Sequence, residues 1–318
     1  MKHVSTFSLG GGSWLTARIV QRELVRPGDE HLLVFTDTLY EDADAYRFGI
    51  EAALNVFDRR ANWVPRIEDF PDYRVHEDVP LAEYRGNPAW RAFLAELREF
   101  AEDAIPELIW LVEGRDPWEI WRDERFLGNS STDPCAKIAK RQMLEAWLKS
   151  ECDKADTTVY FGIGEGESHR YDDGAGRGIK HRYGDKGWNA QAPLIGRIEG
   201  NLRSTLYMSY ARIRPPRLYE WADHNNCGGG CCKAGQKHRA RQRQVMPERF
   251  AYDAMMERKF REWLGADVSF LSDRRGGGPK RPLTLDAFAE RLDAEPQLPI
   301  PEPEAGENGC GCMTEEAA

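Results

Sequence analysis

The chain has 318 residues, 41% hydrophobic and 31% charged, which is enough for one large domain, or one domain and a smaller appendage, with a full core. Its formal net charge of −9 argues against non-specific coating of DNA or RNA, because the phosphates of nucleic acids are neutralised by Lys and Arg. No apolar run approaches the roughly 20 residues that span a bilayer. We therefore expect a cytoplasmic protein without membrane contact.

The first half of the chain alternates between strand-like and helix-like segments. Strands are predicted at 3–7, 31–35, 108–112 and 157–163, where β-branched, aromatic and other apolar residues cluster. Helices are predicted at 13–24, after a cap at Asp42, at 88–103 and at 136–149, from apolar residues at helical spacing. This order predicts an α/β fold with a doubly wound, mainly parallel sheet of Rossmann-like type.

The second half is less regular. The Gly-, Asp- and Arg-rich stretch 164–188 is interpreted as a long loop, and 196–211 and 233–264 as helices of a C-terminal helical part. From Glu295 onward Pro, Glu and Gly dominate, which predicts a disordered acidic tail. The expected units are a nucleotide-binding α/β domain at 1–195, a helical part at 196–292 and a flexible tail at 293–318.

A glycine-rich loop follows the first predicted strand and opens the first helix. It reads Ser8-Leu9-Gly10-Gly11-Gly12-Ser13. Ligands of open α/β sheets bind beyond the carboxyl ends of the strands, where glycines let the backbone approach a phosphate and a helix N-terminus offers free N–H groups. The loop has neither the lysine of a P-loop nor a third glycine at Leu15, so it is neither of those phosphate motifs. The alternative is a turn that only connects two elements.

The loop resembles the S-G-G-x-D-S pyrophosphatase loop of the adenine-nucleotide α-hydrolase (PP-loop) superfamily. That group includes phosphoadenosine phosphosulfate reductases, reductase-like ATP sulfurylases, and tRNA or DNA thiolation enzymes. Ser8, Gly10 and Ser13 match the pattern, whereas Leu9 replaces its first Gly and Gly12 replaces its Asp.

Further segments resemble the phosphoadenosine phosphosulfate reductase-like proteins of phages and prophages. They are Val34-Phe35-Thr36-Asp37-Thr38, then Glu41, Asp42, Tyr46 and Arg47, Phe126-Leu127-Gly128-Asn129, Asp133-Pro134-Cys135 with Lys140, Pro216-Arg217-Leu218-Tyr219, and His224-Asn225-Asn226-Cys227-Gly228-Gly229. In relatives the Asp-Thr end of the second strand faces the nucleoside. Together the segments span nearly the whole chain.

The resemblance implies an adenine nucleotide, ATP or phosphoadenosine phosphosulfate, as substrate, and a magnesium ion accompanying ATP. Two activities stay open: ATP cleavage that adenylates an acceptor for thiolation, and reduction of the sulfonucleotide. The acceptor of sulfur is then a nucleic acid or a small molecule. Because Gly12 stands where the pattern has Asp, a nucleotide-binding regulatory or interaction protein without catalysis is the alternative.

Residues of three segments are predicted to hold the nucleotide. They are Ser8, Gly10, Gly11, Gly12 and Ser13 of the loop, Asp37 and Thr38, and Arg170. Arg170, with Glu167 and His169, follows the fourth strand and so should lie on the same rim of the sheet as the loop. A solvated loop is the alternative for that last group.

Seven cysteines in a cytosolic chain indicate metal ligation or sulfur chemistry rather than disulfides. The predicted metal ligands are Cys135, Cys227, Cys231, Cys310 and Cys312, with Cys232 beside the turn. An iron–sulfur cluster is favoured, and zinc and unliganded or redox cysteines stay open as alternatives. Cys310 or Cys312 is also a candidate catalytic nucleophile, because the resembled reductases attack substrate sulfur with a cysteine on a mobile C-terminal segment.

A run of basic residues follows the cysteine turn. It comprises Lys233, Lys237, His238, Arg239, Arg241 and Arg243. The run is interpreted as a solvated helix face, or as a docking surface for nucleic acid or nucleotide phosphates.

Overall fold

The structure is a computed structural model that describes residues 1–60, 62–76, 78–197, 208, 210–222, 224–273 and 280–295. Its centre is a five-stranded, all-parallel sheet with the strand order β3-β2-β1-β4-β5. The strands are β1 (Lys2–Thr6), β2 (Glu30–Asp37), β3 (Leu108–Val112), β4 (Thr157–Tyr160) and β5 (Asn189–Gln191). A two-stranded antiparallel hairpin, β6 (Leu271–Asp273) and β7 (Arg281–Leu283), lies apart from this sheet.

Helices connect the strands and follow the sheet. The N-terminal ones are α1 (Gly11–Ile19), α2 (Ala43–Val56), α3 (Pro88–Ala104), α4 (Pro117–Asp123), α5 (Met143–Glu151), α6 (Ser168–Tyr171) and α7 (Ile179–Asp185). The C-terminal ones are α8 (Gln236–Val245), α9 (Pro247–Leu264) and α10 (Leu285–Ala294). π-Helical turns extend α1 at Val20–Leu24 and precede α5 at Ala136–Gln142. No helix in the described ranges is both long and apolar enough to cross a membrane.

Both faces of the sheet are buried, as the predicted doubly wound fold requires. In β2 the side chains of Leu33 and Phe35 pack into one apolar cluster with α1, α2 and α3. Val34, which points the other way, packs into a second cluster with α5 and α7. Alternate residues of one strand therefore feed two cores, which explains why its sequence is nearly continuous in apolar residues.

A third apolar cluster joins α4 to the C-terminal helices. It contains Trp118 and Trp121 of α4, the four cysteines at 135, 227, 231 and 232, and Phe250 and Phe260 of α9. The predicted C-terminal helical part thus shares a core with residues of the first half of the chain. This cluster lies beyond the end of β2, since Tyr40 belongs to it.

Several predicted elements need correction. The stretch 164–188 is not one long loop, because it contains α6 and α7, and the short strand β5 follows it. The predicted helix at 233–264 is two helices, and the break falls at Met246, where Pro247 begins α9 as its first residue. Most of the predicted helix at 196–211 and the tail from 296 lie outside the described residues.

The strand order reverses between β1 and β4, and the segments after these two strands meet. A side-chain carbon at Gly162 would lie 2.7 Å from the backbone nitrogen of Ser13. One at Gly12 would lie 3.2 Å from the carbonyl oxygen of Gly162. The glycine-rich loop therefore packs backbone to backbone against the chain that leaves β4, at the position where such folds bind ligands.

This contact predicts a sharp difference between two glycines. Gly162→Ala should lower the free energy of unfolding by about 1 to 3 kcal/mol, because its methyl group would overlap backbone atoms that cannot rotate away. Gly164→Ala is the matched control, since Gly164 has a φ of −84° and nothing within 4 Å of the added carbon. Urea denaturation of both variants measures the difference, and equal stabilities would contradict the packing described here.

Candidate functional site: a buried thiol centre beside the glycine-rich loop

The glycine-rich loop is shaped from within by Ser13. The Ser13 Oγ accepts hydrogen bonds from the backbone N–H groups of Ser8 and Gly10, at 3.2 and 3.4 Å, and donates to the Gly10 carbonyl at 2.9 Å. Gly10 is the N-cap residue of α1. Ser13 therefore fixes the loop around the first turn of the helix, and its own hydroxyl proton is already used.

The two departures from the resembled loop pattern have physical explanations. Leu9 stands where the pattern has glycine, and its φ of +55° lies in the left-handed region that glycine favours. Its side chain is buried against Gly49, where an added carbon would lie 2.5 Å from Leu9 Cδ2. Gly12 stands where the pattern has Asp, and the nearby Gly162 carbonyl leaves little room for a side chain there.

The other predicted nucleotide ligands lie at the same edge of the sheet but are engaged with protein groups. The Asp37 carboxylate is buried and accepts hydrogen bonds from Leu39 N at 2.8 Å, Tyr46 Oη at 2.8 Å and Trp110 Nε1 at 3.1 Å. Arg170 forms an ion pair with Glu167. Thr38 donates to Glu41 Oε1 at 3.3 Å and lines a small cavity among the cysteines.

Four cysteines converge in this cavity. Cys232 is in hydrogen-bond contact with both Cys135 and Cys231, and Cys231 is in contact with Cys227, so the four thiols form a continuous chain. All four are buried, and none of them is in a disulfide. The predicted ligands Cys135, Cys227 and Cys231 are thus brought together. Cys310 and Cys312 lie outside the described residues.

The cysteine turn is held in an unusual backbone conformation. Cys227, Gly228 and Gly229 have φ values of 51°, 56° and 78°, so three successive residues are left-handed. Such a conformation favours glycine, and holding Cys227 there costs on the order of 1 kcal/mol or more. Backbone strain of this kind persists only where surrounding contacts enforce it.

Buried cationic and polar side chains supply those contacts by binding the carbonyl groups of the turn. Arg239 donates to Gly230 O and Cys231 O, both at 3.1 Å, and pairs with Asp253 at 2.7 Å. Arg249 donates to Cys227 O at 3.1 Å. The carbonyl dipoles of the turn therefore point toward positive charge.

A buried ion pair closes the cavity on the side of β2. Lys140 Nζ lies 3.2 Å from Glu41 Oε1, and both side chains are buried. The other oxygen of Glu41 accepts a hydrogen bond from the backbone N–H of Cys227. Burial alone would lower the pKa of Lys140, but the Glu41 carboxylate raises that pKa above its usual value. The lysine is therefore charged at neutral pH.

A buried cation adjoins the four thiols, which are the donor type that zinc and iron–sulfur sites use. Arg249 is 3% exposed and has no carboxylate within 4.0 Å among the described residues; its guanidinium carbon lies 3.9 Å from the centre of the Tyr40 ring and 4.1 Å from that of Tyr73. Although burial alone would lower the pKa of Arg249, the two tyrosines and the carboxylates of Asp253 and Asp42 raise it, which offsets part of the cost of burying the cation. Thiolates in the adjoining cavity would add further negative charge.

The four thiols lie close together, with little space between them. The cavity between them encloses about 10 Å³, the space of about one water molecule. Within the described ranges no three His, Cys, Asp or Glu side chains surround a common metal position. The four sulfur atoms would therefore move apart when a metal binds between them. A single ion would require a small movement, and an iron–sulfur cluster with four cysteine ligands a larger one.

Hydrogen bonds connect the thiol centre directly to the glycine-rich loop. Tyr219 Oη accepts a hydrogen bond from Gly11 N at 2.8 Å, and Asn225 Nδ2 donates to Leu9 O at 2.7 Å. Asn225 lies two residues before Cys227 and is itself buried. The segment that carries three of the cysteines thus also fixes the conformation of the loop.

The interpretation of the basic run after the turn as a solvated helix face is wrong for Arg239 and Arg241, whereas its interpretation as a docking surface stays a prediction. Arg239 and Arg241 are buried, Lys233 pairs with Asp133 at 3.5 Å, and only Lys237 of the run is exposed. Within α8, Arg239 holds the cysteine turn and Arg241 donates to the carbonyl of Trp221. High charge in the sequence was a poor guide to exposure because these charges are paired inside.

Three comparisons with known proteins give no further assignment: no family model, no curated protein and no solved structure matches the chain. The site therefore has to be interpreted from its own residues. Sequence reasoning did not assign Cys232 as a ligand, although it adjoins Cys231, and it gave no role to Glu41 or Lys140 beyond their place in a motif. The role of Arg249 carries no local sequence signal.

The burial of Asp37 predicts a specific pH dependence of stability. Burial raises the pKa of Asp37 from its usual 3.8 to about 6, so the folded protein keeps this proton to higher pH than the unfolded chain. The protonated Asp37 therefore stabilises the folded state by on the order of 3 kcal/mol below pH 4. This contribution to the free energy of unfolding is lost as the pH rises through 6. Relative to Asp37→Asn, the wild-type protein should therefore lose unfolding free energy between pH 4 and 7. If the free energies of unfolding of the two proteins change with pH in the same way, this prediction is contradicted.

Proposed function

We propose that this protein is an adenine-nucleotide-dependent sulfur-transfer enzyme, in which the glycine-rich loop binds the phosphates and the four-thiol centre holds an iron–sulfur cluster. The observation that carries the proposal is a pair of hydrogen bonds, one accepted by Tyr219 and one donated by Asn225, that joins the loop to the segment of the cysteine turn. A structural metal site would have no need of contact with a phosphate-type loop. A loop that only connects two elements would have no need of buried anchors from a distant segment.

The fold supports this interpretation. The loop lies where the strand order reverses, between β1 and β4, and ligands of open α/β sheets bind at that crevice. Leu9, which stands where the resembled pattern has glycine, has a left-handed backbone of the kind that glycine adopts most easily. The segments that resemble phage-type reductase-like proteins also meet in space, since Gly128, Lys140, Tyr219 and Asn225 all lie against the loop or the thiol centre.

With ATP as the nucleotide, the chemistry would begin with adenylation of an acceptor. Backbone N–H groups of the loop would hold the β and γ phosphates while an oxygen atom of the acceptor attacks the α phosphorus. The bond from that phosphorus to the bridging oxygen breaks, and pyrophosphate leaves with that oxygen. The thiol centre, which Asn225 connects to the loop, would serve the sulfur-transfer step.

The loop can be tested through Ser13. In Ser13→Ala the loop loses the acceptor for two of its N–H groups, so the affinity for nucleotide should fall about tenfold, the value of roughly one lost hydrogen bond. Ser150→Ala is the control, because Ser150 is exposed at the end of α5 and contacts only its own helix. Calorimetric titration with ATP and, separately, with phosphoadenosine phosphosulfate measures both variants. Wild-type protein that binds neither nucleotide would overturn the proposal.

The ligand set can be tested by single substitutions and metal analysis. After anaerobic reconstitution with iron and sulfide, Cys135→Ser and Cys232→Ser should lose most of the bound iron, because each thiol lies in the described cluster. Cys152→Ser is the control, since Cys152 is not among the residues that line the cavity.

The tail cysteines give the sharpest contrast in the same experiment. The double variant Cys310→Ser with Cys312→Ser should keep its iron if the four buried thiols are the complete ligand set. Loss of iron from this variant would show that the ligand set includes the tail. Zinc instead of iron in the wild-type protein would overturn the cluster.

A further inference from the structure

One polar group at the thiol centre has no partner within the described residues. The indole nitrogen of Trp121 is buried and makes no hydrogen bond there, although the side chain lines the cavity with the four cysteines. Its neighbour on the same helix, Trp118, donates its indole N–H to Tyr40 Oη at 3.1 Å. Leaving a buried N–H without an acceptor costs about 1 to 3 kcal/mol, so an acceptor is expected at Trp121.

A cysteine sulfur is a candidate acceptor close to this nitrogen. A side-chain carbon at Gly128 would lie 2.7 Å from Trp121 Nε1 and 2.9 Å from Cys232 Sγ. The indole nitrogen and the sulfur therefore border the same small space, which is open because Gly128 has no side chain. The Cys232 thiol already contacts Cys135 and Cys231, and no hydrogen bond to the indole forms in this arrangement.

From this geometry we infer that the Trp121 indole N–H is the hydrogen-bond donor that stabilises Cys232 as a thiolate ligand of the centre. The inference rests on the proposed function, because it requires the centre to hold a metal. A thiolate is a better acceptor than a thiol, and an N–H donor to a ligand sulfur withdraws electron density from it, which raises the reduction potential of a cluster. Trp121 is thus a positioning residue that acts through Cys232.

The position of Gly128 follows from the same inference. Any side chain there would occupy the space between the indole nitrogen and the sulfur, so glycine is required for the two to approach each other. This accounts for a glycine at the centre of Phe126-Leu127-Gly128-Asn129, in a segment that makes no contact with the glycine-rich loop in the hydrogen bonds described above.

The test compares two tryptophans on one helix. Trp121→Phe should bind the same amount of iron as the wild-type protein after reconstitution, but with a more negative midpoint potential and about 10- to 100-fold weaker retention of the metal. Trp118→Phe is the matched control, because it removes an indole of similar burial whose N–H is bound to Tyr40 rather than aimed at sulfur. It should keep the wild-type potential.

A second measurement does not depend on the folding of Trp121→Phe. Wild-type protein labelled with ¹⁵N in the tryptophan indole should show hyperfine coupling between one indole nitrogen and the reduced cluster, and Trp118→Phe should keep that coupling. Its absence in the wild-type protein, or a wild-type potential in Trp121→Phe, would overturn the inference alone. Wild-type protein that takes up neither iron nor Co²⁺ would overturn the proposed centre together with the inference.

Discussion

The structure around the site depends on how charge is compensated at the buried cysteine turn. Arg239, Arg249 and Lys140 lie in a region from which water is excluded, and the first and last of these are neutralised by Asp253 and Glu41. Arg249 is not, and it binds the carbonyl of Cys227 between two tyrosine rings. The carboxylates of Asp253 and Asp42 act on this charge from beyond ion-pair distance, and thiolates of the four cysteines would add to that compensation.

The same contacts explain the shape of the turn and its reach to the loop. The left-handed backbone at Cys227 brings its N–H to Glu41, while Asn225, just before it, binds the carbonyl of Leu9, another left-handed residue. Two strained positions that are far apart in the sequence are thus held by one short segment. Strain that surrounding contacts enforce at such positions is a frequent property of functional sites.

The sequence predicted the parts of the fold that depend on local pattern. The runs around Val34 and Val159 are apolar because the sheet is covered on both faces, so β2 and β4 were found, and Asp42 caps α2 as its position indicated. The three-residue strand β5 and the hairpin of β6 and β7 were missed because such short segments carry no periodicity. The buried arginines of α8 were placed at the surface because their partners, such as Asp253, lie on another helix.

The sequence predicted several residues of the candidate site but not how those residues contact one another. Cys135, Cys227 and Cys231 were expected to act together, but the inclusion of Cys232 and the contacts of Glu41, Trp121 and Arg249 depend on tertiary packing. Asp37 shows the opposite case. Its motif predicted a nucleotide ligand, but its carboxylate already accepts hydrogen bonds from three protein donors. Local sequence shows which residue types are present, and long-range contacts decide which of them remain available to a ligand.

The central claim is that the glycine-rich loop and the thiol centre form one functional unit. Coupling between two sites is reciprocal, so it can be measured as the effect of metal on nucleotide affinity. The direct measurement is anaerobic calorimetry with ATP and with phosphoadenosine phosphosulfate, on protein loaded with iron and sulfide and on metal-free protein. The account predicts that at least one nucleotide binds about fivefold or more tightly to the loaded protein, because an ordered cysteine turn fixes Asn225 and Tyr219 against the loop. Equal affinities in the two states, or no binding in either, would contradict it.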